Sequence, residues 1–147
     1  MVDESKVVKT RHGELTLEEI AGALPGTGDL MVTVGHEWSV CVHAARGGNF
    51  ELAAFSARRT RSILRTVALL RPKYKERLTT FEKEHLAPVL VALGAKDLAG
   101  FEAAFAAATG SANANHVDLG YQYVHWKVPP EAGTDLELGP IANERKP

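Results

Sequence analysis

The sequence predicts an all-α protein: an antiparallel four-helix bundle with a short N-terminal helix and an extended C-terminal tail. Three observations carry that class. Apolar residues recur at helical spacing in four long stretches, near residues 27–46, 49–70, 74–93 and 97–119. A glycine or proline stops each stretch, at Gly47-Gly48, Pro72, Gly94 and Gly120. The links are short, and short links make neighbouring helices antiparallel. Only residues 121–128 read as extended or strand-like.

The 147 residues form a single domain, 1–147, with the bundle over about 27–119 and the tail over about 121–147. Hydrophobic residues make up 45% and charged residues 24%, an ordinary balance for a soluble globular protein. The formal net charge of -1 gives no global drive toward nucleic acid or acidic membranes. Cys41 is the only cysteine, which excludes an internal disulfide and a cysteine zinc site. The polar N-terminus shows no apolar signal core, and no apolar run is long enough to span a membrane. The expectation is a cytoplasmic protein, unless a leader has been removed, with no nucleic-acid and no membrane partner.

In order along the chain, residues 1–15 read as a loose lead-in. Thr16-Leu17-Glu18-Glu19 is a capping box that opens a short helix to about Leu24. Pro25-Gly26-Thr27-Gly28 is a turn, after which Thr27 or Asp29 caps the first long helix. Leu30, Met31, Val34, Trp38, Cys41, Val42 and Ala45 share its main apolar stripe, and Val32, His36, Val40 and His43 form a weaker stripe behind it. Asn49 caps the next helix, with Leu52, Ser56, Thr60, Ile63, Val67 and Leu70 inward. The third places Tyr74, Leu78, Phe81, His85, Val89 and Leu93 inward. Pro88 must kink or restart it, because proline removes a backbone donor. Asp97 caps the last helix. There Leu98, Phe101, Phe105, Thr109, Ala112, His116 and Leu119 lie within a stripe about 80° wide. Residues 129–147 are rich in proline, glycine and charge.

Antiparallel packing sets levels along the bundle. With the last turn near residue 95, His116 stands level with Tyr74, and His85 with Phe105. The two levels lie about 15 Å apart at the helical rise. One layer then holds His116, Tyr74, Leu70 and Met31. The other holds His85, Arg59 or Thr60, and Cys41. This separation argues against a di-iron site. Glu82-x-x-His85 has the spacing of half such a motif, but Asn113-x-x-His116 carries an amide where a carboxylate belongs. No protein-held metal site is expected.

Three segments together resemble a bacterial family of cytochrome c-prime-like four-helix bundles. Gly48-Asn49-Phe50-Glu51-Leu52-Ala53-Ala54-Phe55 resembles the family's Gly-Asn-Trp-x-Leu-Ala-x-Tyr opening of the second helix. Asp97 through Phe105 resembles its last helix. Ala112-Asn113-Ala114-Asn115-His116 falls where such proteins carry Cys-Asn-Ala-Cys-His. The likeness covers about residues 28–130. It implies a haem-type pocket with His116 at the proximal-ligand position, and Met31 at the end of the first helix where a sixth ligand can lie. The departure is at the two cysteines, replaced by Ala112 and Asn115, which form no thioethers. No covalent cofactor is therefore expected. Non-covalent haem, another flat or apolar ligand, or a pocket filled by side chains stay open.

The expected function is the binding of a small apolar or flat molecule in an interior pocket near His116. Ala112, Asn113, Phe105, Tyr74, Met31 and Leu70 would line it, with Ala112 leaving room beside the imidazole. An alternative is a cofactor-independent lyase or isomerase, with His116 or His85 as acid–base and Tyr74 or Arg59 assisting. A further alternative is a structural or partner-binding module with a filled core. Each residue also has an ordinary role. His116 and His85 suit hydrogen-bonded core histidines, Cys41 a small buried apolar residue, and Tyr121 to Trp126 a packed tail. The basic run from Arg58 to Arg77 reads as a solvated helix face. The second stripe of the first helix, Val32, His36, Val40 and His43, predicts a homodimer through that helix.

Overall fold

The computed structural model of the chain describes residues 6–133 and 135–142. Thr16 sets the first helix boundary. Its hydroxyl accepts from the Glu19 amide at 3.1 Å, and the Glu19 carboxylate accepts from the Thr16 amide at 2.7 Å. This reciprocal box opens α1 (Leu17–Ala23), which buries no residue. Ahead of it, β1 (Val7–Thr10) and β2 (Gly13–Thr16) pair antiparallel, with Val7 opposite Thr16. A loose lead-in was expected there. The strands are four residues each and almost wholly exposed, so no buried-exposed alternation marks them. Residues 1–5 of that lead-in lie outside the described residues.

The rest is helical as far as residue 118. The first long helix, α2 (Thr27–Gly47), takes Gly26 as its N-cap rather than Thr27 or Asp29. Asp29 sits in the first turn instead, where its charge favours the helix N-terminus. Gly48, at φ +87°, ends α2 in the left-handed region that favours glycine. Asn49 then caps α3 (Phe50–Leu70) by accepting from the Leu52 amide. The expected third helix is broken. A 3-10 turn at Pro72–Tyr74 leads into α4 (Lys75–Phe81), a π-helical turn at Glu82–Leu86 and α5 (Ala87–Gly94). Pro88 gives the reason. It cannot donate to the preceding turn, and the chain takes in one extra residue there, with the Ala87 amide reaching back to the Glu82 carbonyl. Asp97 caps α6 (Leu98–Asp118) through the Gly100 amide.

The π turn changes which residue faces inward. Unbroken helical spacing puts His85 in the core after Phe81. In the structure Leu86 takes that place, fully buried, five residues on. His85 is left half-buried, its ring tilted against Phe81 at 5.8 Å.

Four helical rods pack around one core: α2 against α3, α3 against α5, α5 against α6, and α6 against α2. Trp38 meets Thr109 and Arg46 meets Glu102, so α2 and α6 run in opposite directions. The core draws on Trp38, Cys41 and Val42 from α2, Ala53 and Ala57 from α3, and Phe101 and Phe105 from α6. Ala44, Ala45, Ala53, Ala57 and Ala108 lie in the same core beside the larger rings. Thr60 Oγ1 is buried and has no hydrogen-bond partner among the described residues. No helix among the described residues is long and apolar enough to cross a membrane.

The described part of the tail, residues 121–133 and 135–142, is irregular, not strand-like. It runs back along α2 from the end of α6. Val124 meets His116, Trp126 meets Asn113, Pro129 meets His43 and Glu137 meets Asn49. Trp126, Val128 and Leu138 pack onto the core. Gly47 makes the far attachment possible, since a Cβ there would collide with the Leu138 carbonyl.

Candidate functional site

The last two turns of α6 carry Ala112, Asn113 and His116 of the residues singled out by sequence. Phe105 is the hub beneath them. Trp38 stacks on its ring at 4.3 Å, Phe101 tilts against it at 5.3 Å, and Trp126 meets it edge-on at 6.1 Å. Trp38 satisfies its indole N–H on Thr109 Oγ1 at 2.9 Å, so its buried polar atom has a partner. Trp126 also lies against Gly35 of α2, where a Cβ would come within 3.3 Å of Nε1. The tail thus brings its own aromatic ring to the side of Phe105 where an open pocket was expected.

Asn113 is buried and tied to that ring's backbone. Its Nδ2 donates to the Trp126 carbonyl and its Oδ1 accepts from the Trp126 amide, both at 2.9 Å. One turn on, His116 is half-buried. Its Nδ1 lies 2.9 Å from the Val124 carbonyl oxygen. A carbonyl only accepts, so Nδ1 carries the proton and the neutral ring keeps its lone pair on Nε2.

The other predicted residues fall in several places. Ala112 and Met31 are half-buried against the core. Arg77 donates to Asn115 and Asp118, which sets the start of α4 beside the end of α6, as the level estimate required. Leu70 and Tyr74 are half-buried near that junction, but the Tyr74 ring receives the Lys73 ammonium at 4.9 Å. Arg59 binds Glu37 at 3.2 Å, linking α3 to α2, and does not reach Glu82. Glu82 is held instead by Arg65, whose hydrogen bonds keep its carboxyl below the usual carboxylate range. Arg59, Tyr74 and His85 therefore have three separate partners. Burial, helped by the Glu37 charge, pushes the Cys41 thiol up to about 12. It stays protonated and is no nucleophile. Among the described residues, no three His, Cys, Asp or Glu side chains gather to hold a metal ion.

The second stripe of α2 is partly taken by the chain itself. His43 donates to the Pro129 carbonyl at 3.1 Å, and Val40 and His43 share a small hollow with Leu136 and Leu138 of the tail. Val32 remains 75% exposed. The tail therefore reaches the Val40 and His43 part of the stripe and leaves Val32 uncovered.

Sequence reasoning allowed for Tyr121 to Trp126 as a packed tail but missed the hydrogen bonds by which Asn113, His43 and Asn49 strap the tail down. Two signals stood in the sequence: mid-helix Gly35, which marks a close approach, and a polar Asn113 beside an apolar stripe. Comparison with family models, curated proteins and solved structures yields no match to this chain.

Proposed function

We propose that this chain is a small-molecule-binding antiparallel four-helix bundle of the cytochrome c-prime-like kind, with His116 as the anchoring group. The observation that carries this is the His116 Nδ1 bond to the Val124 carbonyl. Histidines that ligate metals are commonly oriented this way, the second nitrogen donating to a carbonyl so that the first presents its lone pair.

A haem group fits this chain only in part. Nε2 of His116 suits an iron ligand. Ala112 and Asn115 offer no thiols for covalent attachment. The space beside Phe105 is taken by Trp126. The ligand is therefore met at the outer end of the bundle, where Leu119, Tyr121, Tyr123 and Val124 leave apolar surface exposed. Flat apolar ligands, with haem as the reversible candidate, match such a surface. Haem held there would supply an iron centre for electron transfer or for binding a diatomic gas.

The test is a titration with ferric protoporphyrin IX followed by its absorption band. A saturable 1:1 shift is expected, lost in His116→Ala and kept in His85→Ala. Acid denaturation should release the bare chain mass. Equal binding by His116→Ala would end the reading.

A second reading has its own support. The pair of hydrogen bonds between the Asn113 side chain and the Trp126 backbone lays the chain's own tail over the interior. This favours a structural or partner-binding module with a filled core. The absence of saturable binding by both haem and apolar dyes would favour it over the first.

A further inference from the structure

A hollow of about 720 Å³ lies away from His116, between α3 and the α4–α5 rod. Its floor is apolar: Ala68, Leu69, Pro72, Ala87 and Leu90. Its rim carries Arg61, Arg65, Lys75 and Lys83 against one carboxylate, Glu82. Arg65 already neutralises Glu82. The groove therefore has uncompensated positive charge beside apolar surface, in a chain whose net charge is -1.

The π turn builds this groove. Lys75, Thr79, Lys83 and Ala87 span twelve residues, which would drift about 120° around an unbroken α-helix. The extra residue at Glu82–Leu86 takes back about 100° and leaves them about 20° from a straight line. One insertion thus sets two lysines in a row along the apolar floor. Leu69 faces them from α3 and is 77% exposed, a large side chain left in water.

We propose that this groove binds a free fatty acid or a closely similar monoanionic amphiphile. The apolar floor takes the chain and the lysine–arginine rim takes the carboxylate. The volume suits a small ligand, within the range of about 300–1,000 Å³ for such sites. A single-stranded nucleic acid stacks its bases on aromatic rings, and the groove lining holds no aromatic residue. This site is independent of the His116 reading.

The experiment is calorimetric titration of the full chain with dodecanoate below its micelle concentration, at low salt. Saturable 1:1 binding is expected, with a dissociation constant on the order of tens of micromolar. Lys75→Gln with Lys83→Gln should weaken it by about fivefold or more, and Leu69→Glu by about tenfold or more. All three positions are exposed, so circular dichroism should show the fold intact. Neutral dodecanol should bind at least about tenfold more weakly than dodecanoate. His116→Ala should change nothing, which keeps this test separate from the haem test. Equal affinity for dodecanol, or unchanged binding in both groove variants, would overturn the proposal. So would an acidic amphipathic peptide that displaces dodecanoate at far lower concentration, assigning the groove to a protein partner.

Discussion

The Asn113 side chain pairs with the Trp126 backbone as one strand residue pairs with another, donating to its carbonyl and accepting from its amide. That pair fixes the tail to α6 and brings the Trp126 ring against Phe105. A few residues earlier the Val124 carbonyl receives His116. One buried asparagine thereby positions the segment that orients the candidate ligand.

Asn113→Leu removes both bonds and leaves two backbone groups without partners. Each such loss is worth about 1–3 kcal/mol, so the variant should lose about 2–6 kcal/mol in urea unfolding. Limited proteolysis should cut within residues 121–130 faster than in the wild type. A stability change under about 0.5 kcal/mol would mean that the bonds are solvent-replaceable.

Val40→Glu separates two accounts of the α2 face. If the tail covers Val40, the glutamate buries a charge beneath Gly133, Asp135, Leu136 and Leu138 and loosens them. Cleavage in that segment should then rise while light scattering gives the same mass for variant and wild type. A wild-type dimer that becomes a monomer in the variant would return the face to a second copy.

Much of the helical layout was legible in the sequence because caps and stops are local. Thr16 with Glu19, Asn49 and Asp97 each signal their helix within four residues, and each side chain makes its capping bond. The π turn was only half legible. Pro88 announces a break, but the missing backbone donor does not say whether the chain kinks, restarts or takes in a residue. The choice moved the inward position from His85 to Leu86. The strap was not legible, since Asn113 and Trp126 carry no pattern that pairs them across an irregular tail. Gly35 and Gly47 mark its two contact points on α2, but a glycine says only that something comes close.

Cys41 should be silent to a disulfide thiol reagent at pH 8. Burial keeps its thiol protonated up to about 12 and out of contact with solvent. Labelling should follow global unfolding and reach one thiol per chain in urea. Fast labelling of the native chain would mean that α2 opens locally.

Two surface pairs should tie stability to acid. Arg46 hydrogen-bonds Glu102 through two nitrogens, and Arg65 does the same for Glu82, and each holds its carboxyl below the ordinary value of 4.5. A carboxyl lowered in the folded state gives stability above its unfolded value and loses it as pH falls through the folded one. Unfolding midpoints should therefore drop as pH falls below about 4.5. The Arg46–Glu102 side chains are 45% and 38% exposed, so this pair is worth no more than about 1 kcal/mol. Arg46→Gln should remove its share of the acid dependence, and an unaltered pH profile would show that the pair is screened.

Trp126→Ala locates the ligand. The substitution removes the indole from Phe105 and Gly35 but leaves the backbone groups that Asn113 holds. The strap should therefore stay in place, and Val124 should still orient His116. A large-to-small change at a packed ring destabilises by about 3–5 kcal/mol, so thermal unfolding should occur well below the wild-type temperature. If the ligand meets His116 at the outer end, haem affinity should stay within about twofold of wild type, because no contact is lost. If Trp126 instead plugs an interior haem site, its removal opens that space, and affinity should rise by about tenfold or more. Adding Ala112→Phe would then refill the opening and reverse the gain. A rise that Ala112→Phe reverses would move the ligand inside the bundle and make the tail its stopper.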